Sequence, residues 1–174
     1  MKNKTLWKQV GAAAIAAAMV MSTVPATPVQ AAGGKTLAVS SQKQLNQALK
    51  TVKGKNAVIT VKAGKNVKIT IPKGTYKVTI RVVGKKAAVV NNGTVKEIVV
   101  NSKGTVTIKN NGTIKKVTVQ NAKSVSFSGN HKKAVPVVVN AEDVSMILAA
   151  PAKITAKKDV NKNKLKIRRI NFLI

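Results

Sequence analysis

The sequence contains no cysteine, few acids and few aromatic residues, and each shortage narrows the kinds of protein it can encode. Without cysteine there is no disulfide, so packing and backbone hydrogen bonds must hold the fold together. Only 4 acidic residues oppose 32 lysines and arginines, which gives a formal net charge of +28. A surface of this kind repels itself and attracts polyanions. With so few aromatic rings, the apolar volume comes from valine, isoleucine and alanine.

The shortage of acids also limits the chemistry. Glycoside hydrolysis uses two carboxylates that flank one bond, and calcium takes six to eight oxygen ligands. Glu97 and Asp159 are isolated, whereas Glu142 and Asp143 are adjacent and would point to opposite faces of a strand. His131 is the only histidine, and we expect it to be a solvated loop residue. The sequence therefore predicts no metal, no cofactor and no enzyme activity.

The first 31 residues have the pattern of a cleaved secretory signal peptide. Three lysines precede an uncharged run from Val10 to Val24, and Val29–Ala31 places small residues where signal peptidase cuts. The alternative is a retained anchor, but the run of about 15 residues is shorter than the roughly 20 that span a membrane. No second apolar run follows. We therefore expect a secreted or cell-surface protein with no transmembrane segment after processing.

Residues 32–56 are expected to form a lead-in and an N-terminal capping helix. Ser41 and Gln44 have the spacing of a capping box, in which the first residue caps the helix and the second reaches back. Leu45, Ala48 and Leu49 then fall on one face of a helix of about ten residues. This apolar face would cover the open end of the structure that follows.

Residues 57–174 are predicted to be strands alone. Apolar and polar residues alternate in short runs, and this alternation is typical of strands. Glycine, asparagine and lysine separate the runs. The runs are residues 57–61, 66–71, 77–82, 96–100, 105–109, 115–120 and 124–128.

A fixed offset relates these runs. The tetrapeptide NNGT begins at Asn91 and again at Asn110, so the offset is 19. Upstream the offset lengthens to 20 or 21. The equivalent positions predicted from the offset are Ile98 with Val117, Val100 with Val119 and Val138, Val106 with Val125 and Val144, and Ile108 with Phe127 and Met146.

A period of this length with two short strands per period is typical of a solenoid. We predict an all-β parallel β-helix of about six coils, in which equivalent residues stack about 4.8 Å apart. Asn92, Asn111 and Asn130 would form a structural column of side-chain amides. Glu97 and Lys116 would bring opposite charges onto adjacent coils. The alternative, an antiparallel sandwich, does not require one side chain to recur at a fixed offset.

Two segments add a resemblance to this pattern. QLNQALK (residues 44–50) and IPKGTY (residues 71–76) resemble the N-terminal part of right-handed parallel β-helices of the pectin-lyase-like superfamily, with an additional strand pair between them. The remainder, to about Ile170, is similar to short-coil β-helix proteins secreted by Gram-positive bacteria. The resemblance implies right-handedness and cleavage or binding of polysaccharides. The aspartates of its lyases and hydrolases have no counterpart here, although Arg81 could serve as a lyase base.

Lysines also recur at the coil period. Lys77, Lys96 and Lys115 follow one another at the same offset as the NNGT repeat, and Lys85 and Lys123 are separated by twice that offset, with Gly104 between them. Such a track suits an anionic cell-wall or extracellular polysaccharide, whereas nucleic acid is not expected. The plainer interpretation is that these lysines only keep a strand-rich surface soluble.

The sequence thus predicts a non-catalytic adhesive or structural module of the cell surface. Two alternatives remain open at this point. One is a pectate-lyase-like enzyme or its inactive relative, and the other is a fragment of a larger surface protein. The sequence does not predict an oligomeric state.

Overall fold

A computed structural model describes residues 35–64, 66–157, 160–161 and 164–170 of the chain. They belong to the second of two units, Ala31–Ile174. The fold is the predicted all-β parallel β-solenoid, right-handed and of about 7 turns. Its elements are, in order, β1 (Lys35–Val39), α1 (Gln42–Thr51), β2 (Ala57–Ala63), β3 (Val67–Ile71), β4 (Thr75–Asn91), β5 (Thr94–Asn110), β6 (Thr113–Ile114), β7 (Val117–Asn121), β8 (Ser124–Ser128), β9 (Val135–Val139), β10 (Ser145–Ala149), β11 (Ala152–Ala156) and β12 (Lys166–Arg169).

Helix α1 forms where the capping box predicts it. The Ser41 hydroxyl accepts a hydrogen bond from the Gln44 backbone N–H, and the Gln44 side chain accepts one from the Ser40 backbone N–H at 2.7 Å. Leu45, Ala48 and Leu49 are buried, which confirms the predicted apolar face.

The segment before the helix differs from the predicted lead-in. β1 is a strand of the solenoid, paired in parallel with β2. This strand adds a turn ahead of residue 57, which is why about 7 turns are present rather than six. Helix α1 belongs to the same first coil as β1 and covers the edge of β3. There the Gln42 side-chain amide takes the place of a strand, since it accepts from Thr70 N at 2.7 Å and donates to Thr70 O at 2.8 Å.

Successive coils stack into three parallel ladders. The first ladder contains β1, β2, part of β4, part of β5, β7, β9 and β11 in that order. The second contains β3, the ends of β4 and β5, β8, β10 and β12. The third is short and contains the starts of β4 and β5 together with β6. The coils that contain β4, β5 and β6 therefore have three sides.

The interior consists of stacked aliphatic side chains. Along the first ladder, Val61, Val82, Val100, Val119 and Val139 pair in succession, and all five are fully buried. The pairings of Ile98 with Val117 and of Val100 with Val119 confirm the register predicted from the NNGT offset. Stacked valines, which are compact and stiff at χ1, fill a narrow coil, and this explains why the interior needs so few aromatic rings.

Beyond Ser128 the predicted register is wrong. Val125 pairs with Met146 instead of Val144, Phe127 pairs with Leu148 instead of Met146, and Val119 pairs with Val139 instead of Val138. The turns of these coils carry extra residues, including Asp143 with a φ of 54°. The offset therefore lengthens to 20 between β7 and β9 and to 21 between β8 and β10.

The C-terminal segment contributes one more strand, since β12 pairs in parallel with β10. The predicted signal peptide, residues 1–31, and the acid Asp159 lie outside the described residues. Among the residues that the structure describes, no helix is long and apolar enough to cross a membrane.

Candidate polyanion-binding edge

The third ladder brings three of the predicted lysines to one edge of the solenoid. Its strands pair Thr75 and Tyr76 of β4 with Thr94 and Val95 of β5, and these in turn with β6. A lysine directly follows each short strand, and all three side chains are exposed. We call the set Lys77, Lys96 and Lys115 the lysine edge.

Backbone pairing fixes the spacing of these lysines. Lys96 and Lys115 lie between the pairs Val95–Ile114 and Ile98–Val117, so they occupy equivalent positions of adjacent coils. Lys77 lies in a bulge of β4, where the register shifts between Tyr76 and Thr79 opposite β5. Neighbouring strands are about 4.8 Å apart. The lysine backbones therefore follow one another at about that distance along the solenoid axis.

Among the described residues, the acid beside the lysine edge is Glu97, and it is already paired. Glu97 Oε1 lies 3.1 Å from Lys116 Nζ and accepts a hydrogen bond from the Thr118 hydroxyl at 2.6 Å. This ion pair confirms that Glu97 and Lys116 lie on adjacent coils. Within the described part of the chain, no lysine of the edge forms an ion pair. The edge therefore presents like charges that an external anion would stabilise.

The second predicted set, Lys85 and Lys123, lies at a different corner of the coil. Lys123 N donates to Gly104 O at 3.0 Å. A Cβ placed on Gly104 would come 1.7 Å from Lys85 O, so the three backbones stack closely. The two lysines are two strand spacings apart, about 9.6 Å. Farther along, this corner carries the exposed acids Glu142 and Asp143, so its positive charge is not continued.

The predicted asparagine positions lie at the turn after the second ladder. Asn111 Nδ2 donates to Asn92 Oδ1 at 3.0 Å. Asn130 is exposed, and its side chain makes no hydrogen bond to the described residues. A buried pair that the sequence did not predict lies one residue earlier, where Asn91 Nδ2 donates to Asn110 Oδ1 at 2.8 Å. The sequence did contain a signal for this buried pair. The alternation of interior and exterior positions along β4 and β5 places the first asparagine of each NNG at an interior position.

A groove at the N-terminal end of the lysine edge was also missed. It lies between α1 and the turn after β3, and its volume is about 470 Å³. Tyr76 lines it together with Leu49 and three lysines, and the Tyr76 hydroxyl donates to Lys73 O at 3.2 Å. Its residues are distant in sequence, so only the fold brings them together. The lysines are Lys50, Lys53 and Lys73.

Two other candidate residues have defined positions. Arg81 is half-buried on β4 with Thr60 and Val99 as register partners, and its Nε has no hydrogen-bond partner among the described residues. His131 is not the solvated loop residue we expected. Its ring packs edge-to-face on Phe127 at 5.2 Å, and both ring nitrogens contact backbone carbonyls.

Within the described ranges, no three histidine, aspartate or glutamate side chains come close enough to hold a metal ion. Comparison with known proteins finds no matching protein-family model, no matching curated protein and no matching solved structure.

Proposed function

We propose that the mature chain is secreted or held at the cell surface, where it binds an anionic envelope or matrix polysaccharide without catalysing a reaction. The lysine edge carries the proposal. It presents three exposed lysines at successive coils, and none is neutralised by an acid among the described residues. A solubilising surface needs dispersed charge and not a row at one corner.

The geometry suits a polymer better than a single small anion. A linear polyanion that lies along the solenoid axis places successive charges near successive coils, and each contact displaces a condensed counterion. Lysine is a point charge without the planar fork of arginine, so contacts of this kind discriminate poorly between carboxylate, sulfate and phosphate. Binding should therefore be sensitive to salt and tolerant of polymer type.

The direct test is retention on immobilised polygalacturonate and dextran sulfate, with neutral dextran as the blank. The triple variant Lys77→Gln, Lys96→Gln, Lys115→Gln removes the lysine edge. A matched control, Lys68→Gln, Lys109→Gln, Lys153→Gln, removes the same charge from exposed positions elsewhere. We expect the edge variant to lose at least about tenfold in affinity and to show a shallower salt dependence than the control. Equal losses in both variants would contradict a role for the edge.

Membership of the pectin-lyase-like superfamily, in its secreted Gram-positive branch, is part of the same proposal. It is supported by the N-terminal geometry, because the helix of QLNQALK and the turn of IPKGTY meet across the groove that Tyr76 lines. The competing function within that superfamily is a polysaccharide lyase. Incubation with pectate separates the two, since protein-dependent formation of unsaturated uronides would contradict the non-catalytic proposal.

A further inference from the structure

A buried row of asparagines ends abruptly at the corner after the second ladder. Asn91 and Asn110 pair as register partners and are both fully buried. In the next coil, Lys109 pairs with Ser128, so Gly129 takes the position that follows Asn110. A Cβ on Gly129 would come 1.9 Å from Asn110 O. No side chain can therefore continue the row at this point.

The orientation of the Asn110 amide is fixed by two donors. Its Oδ1 accepts from Asn91 Nδ2 at 2.8 Å and from the Gly112 backbone N–H at 3.3 Å. Asn91 is oriented in turn by Gly93, whose N–H donates to Asn91 Oδ1 and whose carbonyl accepts from Asn91 Nδ2. If the oxygen and nitrogen of the Asn110 amide were exchanged, the nitrogen would face the N–H groups of Asn91 and Gly112, and donors would oppose donors. The atom that accepts these two hydrogen bonds is therefore Oδ1, and the remaining atom is the donor Nδ2.

The donor Asn110 Nδ2 has no acceptor among the described residues. Asn110 Nδ2 is buried and makes no hydrogen bond within the described residues, whereas the corresponding atom of Asn91 has the acceptors Gly93 O and Asn110 Oδ1. A buried N–H₂ group without an acceptor is destabilising, because it has lost its hydrogen bonds to water. The accessible surface of this nitrogen is below 1 Å², so an acceptor from outside reaches it only through a local shift of the residues around it.

Asn110 lines a cavity of about 320 Å³. This is roughly ten times the volume of one water in the liquid and is near the lower limit of small-ligand sites. Lys132 and Lys133, both exposed, supply two ammonium groups at its rim. The remaining lining is partly apolar and includes Ile114 and Val135. The cavity therefore combines donors, positive charge and an apolar wall.

His131 forms a fixed wall of the same cavity. Nδ1 lies 3.2 Å from Asn110 O, and Nε2 lies 2.9 Å from Pro151 O. Both contacts are to backbone carbonyl oxygens of neighbouring coils. The ring thereby joins three coils and keeps the cavity in shape.

We propose that this cavity binds an oxyanion carried on a small polyhydroxylated body, such as one repeat unit of an acidic polymer. The residues around the amide shift to admit one anionic oxygen, which accepts the Asn110 Nδ2 hydrogen bond. The two lysines neutralise the charge, and the body packs on the apolar wall. The inference rests on the proposed function for the source of the ligand. It does not rest on the lysine edge, because the Asn110 donor is an independent observation.

Side-chain amide signals in ¹⁵N-correlated NMR spectra test the site directly. The probes are glucuronate, glycerol phosphate and inorganic phosphate, with glucose and glycerol as their uncharged matches. We expect the Asn110 amide pair to shift saturably with glucuronate or glycerol phosphate and not with the neutral compounds. Preference for one of the two identifies a carboxylate or a phosphate ester, and saturation by inorganic phosphate alone would overturn the proposed polyhydroxylated ligand.

The decisive variant is Asn110→Asp, which retains an acceptor for Asn91 and Gly112 but replaces the donor by a second acceptor. Asn130→Asp introduces the same charge at an exposed position that does not line the cavity. We expect at least a tenfold larger loss of probe affinity for Asn110→Asp than for Asn130→Asp. Equal losses would overturn the site.

If Asn110→Asp does not fold, the pair Lys132→Gln and Lys133→Gln decides the question, since those exposed side chains are not needed for packing. Unchanged probe affinity in that variant would contradict the proposal. An Asn110 amide that stays unmoved in the wild-type protein with every probe would show that the cavity holds water alone. Polymer retention by the lysine edge is measured separately, so either proposal can fail without the other.

Discussion

The coils between Thr75 and Ser128 and the coils after Gly129 share the same ladders, yet they are built differently. In the first region, the coil offset stays between 18 and 20, and similar side chains stack on one another. In the second, the offset varies from 17 between β9 and β11 to 21 between β8 and β10. Larger and less similar side chains meet there, such as Phe127 with Leu148.

The difference shows how coil length shapes the surface of the solenoid. Where the length is constant, any residue of the turn recurs at the same corner, so lysines form the lysine edge. Where the length changes, turns diverge and each corner can carry its own chemistry, as the acids Glu142 and Asp143 do. The Asn110 cavity lies at the boundary, where a regular coil faces an irregular one. The regular coils therefore produce continuous surfaces, and the change of coil length produces local features such as this cavity.

The largest expected effect separates the interiors of the two regions. Val119→Lys places an ammonium among fully buried valines, and neither of its described ladder neighbours is an acid. The change costs several kcal/mol and should abolish cooperative unfolding. Ile167→Lys changes an interior-register position of the last described coil that is 46% exposed, so stability should change by less than about 0.5 kcal/mol. Thermal and urea unfolding followed by circular dichroism compare them. A wild-type melting temperature for Val119→Lys would contradict the register.

A second comparison tests how closely the regular coils stack. Gly104→Ala forces a Cβ to within 1.7 Å of Lys85 O, where the obstacle is backbone and cannot rotate away. We expect a loss of about 2–3 kcal/mol, as for overpacking. A Cβ on Gly64 would have no heavy atom within 4 Å, and Gly64 has no positive φ, so Gly64→Ala should be neutral or slightly stabilising. Similar unfolding midpoints for the two variants would show that the corner at Gly104 yields easily to an added methyl group.

The buried and the exposed asparagine pair at the corner after the second ladder offer a third comparison. Asn91→Ala leaves the Gly93 N–H and Asn110 Oδ1 without their buried partner and should cost about 2 kcal/mol. Asn111→Ala removes an exposed contact of similar length and should cost less than about 0.5 kcal/mol. Urea midpoints at equal m-values provide the measurement. If the Asn111 variant proves the less stable of the two, the buried row is not the one that supports the turn.

Much of the fold could be predicted because each coil shows the same strand pattern as its neighbours in the sequence. Alternation assigned the strands, and the NNGT offset gave the register wherever coil length is constant. The same reasoning failed after Gly129, since a turn of different length shifts every later pair and leaves no trace in the alternation itself. β1 was missed because a single short strand before a helix has no repeat partner at the NNGT offset; it pairs with β2 at an offset of 22.

The candidate functional residues likewise include some that the sequence predicted and some that it did not. The lysine edge was visible in the sequence because it follows the period. The Asn110 cavity and the Tyr76 groove were not, since each joins segments whose spacing obeys no period. Asn92, Asn111 and Asn130 form the more regular set in the sequence, but burial and not regularity distinguishes Asn91 and Asn110. Whether a corner residue is buried depends on the direction in which the backbone bends at the end of its strand.

The smallest expected effects concern the ion pairs of the two regions. Glu97, whose side chain is 17% exposed, contacts Lys116 at 3.1 Å and also accepts from Thr118, so Glu97→Gln should cost up to about 1 kcal/mol. Glu142 and Lys164 are each 49% exposed and 3.5 Å apart, so Glu142→Gln should have no measurable effect. Repeating both unfolding experiments at high salt sharpens the contrast, because screening weakens exposed pairs more than partly buried ones. The Glu97 effect should persist in part; its complete loss at high salt would place this pair with the exposed one and remove the distinction between the two regions.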